Sequence, residues 1–204
     1  MAIGPAMAIY AVWYIWLLSW VGASVWANRT VKTPALWREL PYRLITLVGF
    51  ALLLITPLRW TGGSFTVAEL DGWFGYRLWA ASPAPLGWVF VGLALLGVSF
   101  AWWARVHLGK LWSARITRKE DHRVVDSGPY AIVRHPIYTG LLLAAIATAA
   151  ETGLARSALG ALLLIAGYLM KAKVEERFLR AELGSAAYDA YAKRVPMLVP
   201  FSRA

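Results

Sequence analysis

Two polar stretches in an otherwise apolar chain hold the side chains able to do chemistry. The first runs from Asp121-His122-Arg123-Val124-Val125-Asp126-Ser127 through Gly128-Pro129-Tyr130 to Arg134-His135-Pro136-Ile137-Tyr138-Thr139-Gly140. Gly128-Pro129 is a turn signal. Pro136 suits the first position of a helix, where a missing N–H costs nothing. That puts His135 at the helix cap and leaves the backbone N–H groups of the first turn without intrahelical partners. Such a helix start attracts anions, carboxylates included. His135 and Tyr138 project from the same turn and are placed to line a pocket. Taken alone, Arg134 and His135 serve equally well as interfacial anchors and Pro136 as a plain helix starter. His122 and His135 are a poor metal pair, with no acidic ligand beside both. The expectation is therefore that no metal is bound.

The second stretch is Lys171-Ala172-Lys173-Val174-Glu175-Glu176-Arg177. Lys171 and Glu175 are one helical turn apart and share a face. A carboxylate there can accept hydrogen bonds from hydroxyls or an amine, and the ammonium can fix an anion. The plainer readings are a snorkelling lysine and a solvated Glu-Glu pair.

These stretches must be held by what surrounds them. The chain has 204 residues, 59% hydrophobic and 16% charged, against about 45–50% apolar and about 25% charged in ordinary soluble domains. The apolar residues fall in runs: Met7 to Ala27, Leu44 to Leu58 (opening near Pro41), Leu86 to Ala104, Pro136 to Ala150 and Leu154 to Met170. Twelve Trp, many near the run ends, fit the bilayer interface. The first run is long enough to cross about 30 Å of hydrocarbon and lacks the basic start of a signal peptide. The predicted fold is an all-α integral membrane protein of about five transmembrane helices, a single membrane domain over 1–204. Three spans fill 1–104. The last two spans form a helical hairpin in 105–204, joined at Glu151-Thr152-Gly153.

The formal net charge of +10 sits between the spans. Three segments that share one side of a five-span protein hold 18 of the 21 Lys and Arg. By the positive-inside rule the amino terminus is expected outside, and both polar stretches, with the carboxyl terminus, in the cytosol. The expected location is a bacterial inner membrane or an equivalent cytoplasmic membrane. This pattern accounts for the basic charge without nucleic acid, so no nucleic-acid partner is expected. With no cysteine, thiolate metal sites, disulfides and cysteine nucleophiles are excluded. The apolar runs carry no charge at mid-span, which argues against a transporter. Gly and Ala in spans three to five serve internal packing or a dimer contact equally well, so oligomeric state stays open.

In order, Leu108-Gly109, Trp112-Ser113, His122, Gly128-Pro129-Tyr130, Arg134-His135-Pro136-x-Tyr138-x-Gly140, Glu175-Glu176 and Tyr188-x-x-Tyr191-x-x-Arg194-Val195-Pro196 resemble the isoprenylcysteine carboxyl methyltransferase family, within a wider group that includes phospholipid methyltransferases. The resemblance covers about Leu108 to Pro200. It implies membrane helices with a cytosolic pocket for S-adenosylmethionine, built from the segment before the fourth helix and the helical tail. It further implies cofactor contacts at His122, Arg123, Val124, Val125, Tyr130, His135, Pro136, Tyr138 and Glu175. Lys171, with Arg134, would meet the acceptor, and Lys171 and Glu175 would act in catalysis. In the eukaryotic enzymes the position of Lys171 looks to be Arg, and Lys offers a point charge in place of a two-pronged donor. The implied function is carboxyl O-methylation of an isoprenylcysteine-like or other lipophilic acceptor. The alternatives are N-methylation of a phospholipid or amine, S-methylation of a thiol, and a non-catalytic membrane protein.

Overall fold

The computed structural model of the chain describes residues 3–23, 30–33, 35–55, 58–60, 65–67, 72–80, 82–113, 116, 118–119 and 124–202, without the side chains of 30–32, 58–60, 65–67, 118–119 and 183. Five long helices dominate: α1 (Pro5–Ala23), α2 (Leu36–Leu54), α3 (Ala84–Leu108), α4 (Pro136–Thr152) and α5 (Ala155–Leu183). A short α6 (Ser185–Ala192) follows. Strand pieces of two or three residues, β1 (Thr30–Lys32) with β4 (Arg118–Lys119) and β2 (Leu58–Trp60) with β3 (Phe65–Val67), pair antiparallel in the connections.

Three helical stretches, 5–23, 84–111 and 155–182, are long and apolar enough to cross a bilayer, and 136–152 is a shorter apolar helix. At 1.5 Å per residue α4 is about 26 Å long, short of the hydrocarbon thickness. The chain is an all-α membrane protein. α2 departs from expectation. It starts at Leu36, with Pro41 inside it, and ends at Leu54. Its first turns hold charge because Glu39, fully buried, is paired one turn on with Arg43. That local pair lets a polar segment join the helix.

α3 packs chiefly on α4, α2 on α5, and α1 on α3. Small residues set these contacts. A Cβ on Gly140 would collide with the carbonyl oxygen of Gly97, and one on Gly97 with that of Gly140. Gly160 meets the Gly49 carbonyl in the same way, at 2.7 Å. Among the described residues these glycines serve packing between helices of one chain, which explains Gly140 in the motif. Gly140→Val should therefore lower the thermal unfolding temperature in detergent, by an overpacking cost of about 1–3 kcal/mol. An unchanged melting curve would show that α3 and α4 do not meet this way.

The α4–α5 turn is stapled at one end of the bundle. Gly153 caps α4 at φ 64°, with the Trp79 carbonyl where a Cβ would sit. Arg77 bonds the Thr152 carbonyl at 2.5 Å, and Arg156 bonds the carbonyls of Phe74 and Leu52. The opposite end gathers the start of α4, the end of α5, α6 and the tail, and it holds the described residues of both polar stretches.

Candidate active site

The segment before α4 is shaped by one glycine. Gly128 has φ 58°, and the His107 imidazole lies 2.7 Å from where a Cβ would be. Only glycine fits both conditions. The one-turn helix of residues 128–131 then buries Pro129 and Tyr130. The Tyr130 carbonyl accepts a 2.7 Å bond from the Tyr191 hydroxyl of α6. Next, the N–H groups of Arg134 and His135 bond the carbonyls of Pro196 and Met197 at 2.8 and 3.1 Å. The tail thus straps the entrance to α4. Pro136 is the first residue of α4, with His135 at the cap as expected.

On α5, Tyr168, Lys171, Glu175 and Leu179 recur at helical spacing and turn one face to the same cavity. Glu175 and Glu176 are adjacent yet differ sharply. Glu176 is buried and receives the Arg134 Nε at 2.7 Å, the His135 Nε2 at 3.2 Å and Arg180 at 3.5 Å. Arg134 also donates to the carbonyls of Ala192 at 2.9 Å and Val195 at 2.5 Å. Its guanidinium therefore joins α4, α5, α6 and the tail. Glu175 has a 28% exposed side chain and accepts the Tyr138 hydroxyl at 2.6 Å, with the His135 Nδ1 at 3.8 Å. Tyr138 stacks on His135, at 5.2 Å and 4°, and on Tyr168, at 4.7 Å and 24°. The Lys171 ammonium sits 5.0 Å from the Tyr138 ring centre and 6.0 Å from that of Tyr42. Ring faces favour a cation there.

These groups surround a cavity of about 230 Å³. Val124, Val125, Tyr130, Arg134, His135, Pro136, Tyr138, Lys171 and Glu175 all line it. Every site residue expected from the sequence that falls among the described ones is thus brought to one place. His122 and Arg123 lie outside the described residues. Sequence reasoning gave no cavity role to Trp16 and Trp20 of α1, nor to Tyr168. Tyr168 was within reach, one turn before Lys171 on the same face. Nothing in the spacing of α1 signals a cavity wall.

Burial raises the phenols of Tyr130, Tyr188 and Tyr191 well above their ordinary range. They remain neutral near pH 7 and offer ring faces and hydroxyls rather than a base. Among the described residues no three His, Asp or Glu cluster in a way that could hold a metal. The arrangement suits a zwitterionic, aromatic ligand: a half-buried carboxylate acceptor, a helix start for an anionic group and stacked rings for a base.

Residues 90–181 match the model of the isoprenylcysteine carboxyl methyltransferase family. Relatives include the cobalt-zinc-cadmium resistance protein CzcN of Cupriavidus metallidurans, 34% identical over 67% of this chain and 59% of that protein. Methanethiol S-methyltransferase 2 of Bradyrhizobium diazoefficiens is 52% identical over 35% of this chain and 26% of its own length. Protein-S-isoprenylcysteine O-methyltransferase B of Arabidopsis thaliana is 35% identical over 43% of this chain and 44% of its own. The chain spans between a quarter and three fifths of the length of these relatives. The matched segment runs from α3 through α4 to Ala181, near the end of α5, and so contains Tyr130, His135, Tyr138, Lys171 and Glu175 together. In that segment the chain is similar to the isoprenylcysteine carboxyl methyltransferase family.

Proposed function

We propose that this protein transfers a methyl group from S-adenosylmethionine to an apolar acceptor, at the membrane face where α4 begins. The observation that carries the reading is the convergence of Glu175, Tyr138, His135 and Tyr130 on one cavity beneath α6. Bound S-adenosylmethionine supplies an activated methyl on a sulfonium. The protein's share is alignment and exclusion of water. Glu175 accepts bonds from the cofactor's hydroxyls or amine, already oriented by Tyr138. The N–H groups at the start of α4 receive its carboxylate. Val124 and Val125 flank it, Tyr130 and Pro136 supply contact surface, and the family resemblance assigns further contacts to His122 and Arg123. Arg134 contributes by holding Glu176 and the tail in place, leaving the acceptor's anionic group to Lys171. The site end of the bundle faces the cytosol, in keeping with its basic loops.

Within enzymes, S-methylation of a thiol stands beside O-methylation of a carboxylate, because one relative, 52% identical over its matched stretch, is named a methanethiol S-methyltransferase. Both acceptors react as anions, and both fit an ammonium held against ring faces. The test is transfer of labelled methyl from S-adenosylmethionine by the purified chain in liposomes, offered thiols, carboxylates and amines. Label in the thiol or carboxylate product supports the reading; label in amines alone overturns the anionic acceptor. Lys171→Met keeps the stem and removes the charge. It should raise the acceptor KM at least about tenfold, the worth of one charged hydrogen bond, with cofactor affinity unchanged. Loss of cofactor affinity instead would move Lys171 to the cofactor's side.

A further inference from the structure

The cavity has one wall that methyl transfer as described does not use. Trp16 and Trp20 line it from α1, beside Trp112. These rings interlock. Trp20 lies 5.4 Å from Trp16, 5.3 Å from Trp102 and 5.5 Å from Trp112, the last two edge to face. Trp16 stacks on Phe50 of α2 at 6.2 Å. Polar bonds fix the set from outside. The Trp102 indole bonds Ser19 at 3.2 Å and the Trp13 indole bonds Thr148 at 2.9 Å. The fully buried Arg105 lies 4.2 Å over the Trp112 ring and donates to the carbonyls of Ala23 and Gly109. Such a wall is stiff, since moving one indole breaks packing with several others. The wall also reaches the Lys171 side of the cavity: Phe50, on which Trp16 stacks, meets Tyr168 edge to face at 6.5 Å, and Tyr168 stacks on Tyr138 at 4.7 Å.

We propose that Trp16 and Trp20 close the acceptor end of this cavity, so that the acceptor is a short apolar anion, a thiolate or a carboxylate, in place of a long isoprenoid. The proposal rests on the methyl-transfer reading above and adds a limit on acceptor length. Lys171 holds the anionic head, and the short tail lies against the indoles. The acceptor sulfur or oxygen gains the methyl. The sulfonium carbon–sulfur bond breaks, its electron pair stays on the departing thioether sulfur, and the opposite charges of the reactants cancel. Trp16, Trp20 and Phe50 lie outside the segment 90–181 that matches the family.

The experiment compares methanethiol, hexanethiol, hexanoate and N-acetyl-S-farnesylcysteine as acceptors for the intact chain in liposomes, with labelled S-adenosylmethionine. The short acceptors should be used at least about tenfold better in kcat/KM than the farnesyl compound, a discrimination well within what an apolar pocket gives. Thiol against carboxylate turnover names the acceptor's source. Trp20→Ala should erase about tenfold of that preference with the cofactor KM unchanged, and Trp20→Phe should fall between. A wild-type protein that prefers the farnesyl compound, or a preference that Trp20→Ala does not move, overturns the proposal while leaving methyl transfer standing. Binding of the same compounds with S-adenosylhomocysteine present reads the limit without turnover. Short compounds that bind without being methylated would overturn the methyl-transfer reading alone.

Discussion

The Glu175→Ala protein should lose affinity for S-adenosylmethionine by about a hundredfold or more while still folding. A bond to a charged acceptor contributes about 1.5–3 kcal/mol, and two such bonds to cofactor hydroxyls or amine amount to at least two factors of ten. Folding is spared because Glu175 sits on the cavity surface, 28% exposed. Its removal frees the Tyr138 hydroxyl and the longer His135 Nδ1 contact at 3.8 Å, both of which border the same cavity. Glu175→Gln keeps an acceptor oxygen and should fall between. Equilibrium binding of labelled cofactor checks this, alongside thermal unfolding. Full affinity in the alanine variant would remove Glu175 from the cofactor site.

The neighbouring carboxylate gives the opposite outcome. Arg134→Ala should destabilise the fold by about 3–5 kcal/mol, the usual cost of stranding one member of a buried ion pair. The pair side chains are 8% and 4% exposed at 2.7 Å, and Arg134 also holds the carbonyls of Ala192 and Val195. Arg134→Lys should rescue little, because a single ammonium cannot reach a carboxylate on α5, the Ala192 carbonyl of α6 and the Val195 carbonyl of the tail at once. Arg134→Met combined with Glu176→Leu should recover much of the loss, since no buried charge is then unpaired. Thermal unfolding in detergent reads all three. An Arg134→Ala protein that melts with the wild type but loses acceptor binding would return Arg134 to the substrate.

The contrast between these adjacent glutamates shows what one dimension conveys. The turn at Gly128-Pro129, the start of α4 at Pro136 and the shared face of Lys171 and Glu175 depend on local rules, and all were legible. The runs that became α1, α3, α4 and α5 were legible too, because bilayer thickness fixes a length and a composition. Which of Glu175 and Glu176 faces inward to Arg134 depends on the rotation of α5 against α4, a tertiary fact. The start of α2 is concealed in the sequence because Pro41 and the charges before it look like a loop. The structure absorbs them through the pairing of Glu39 with Arg43. The indole wall of α1 was hidden for a related reason. Its tryptophans have the composition of lipid-facing anchors, and only packing against α3 and α4 turns Trp16 and Trp20 toward the cavity.

Calorimetric titration of S-adenosylmethionine into the detergent-purified wild-type chain reads cofactor binding itself. Saturable one-to-one heat that S-adenosylhomocysteine displaces is expected. No heat at millimolar cofactor, from a protein whose thermal unfolding shows it folded, would contradict the methyl-transfer reading.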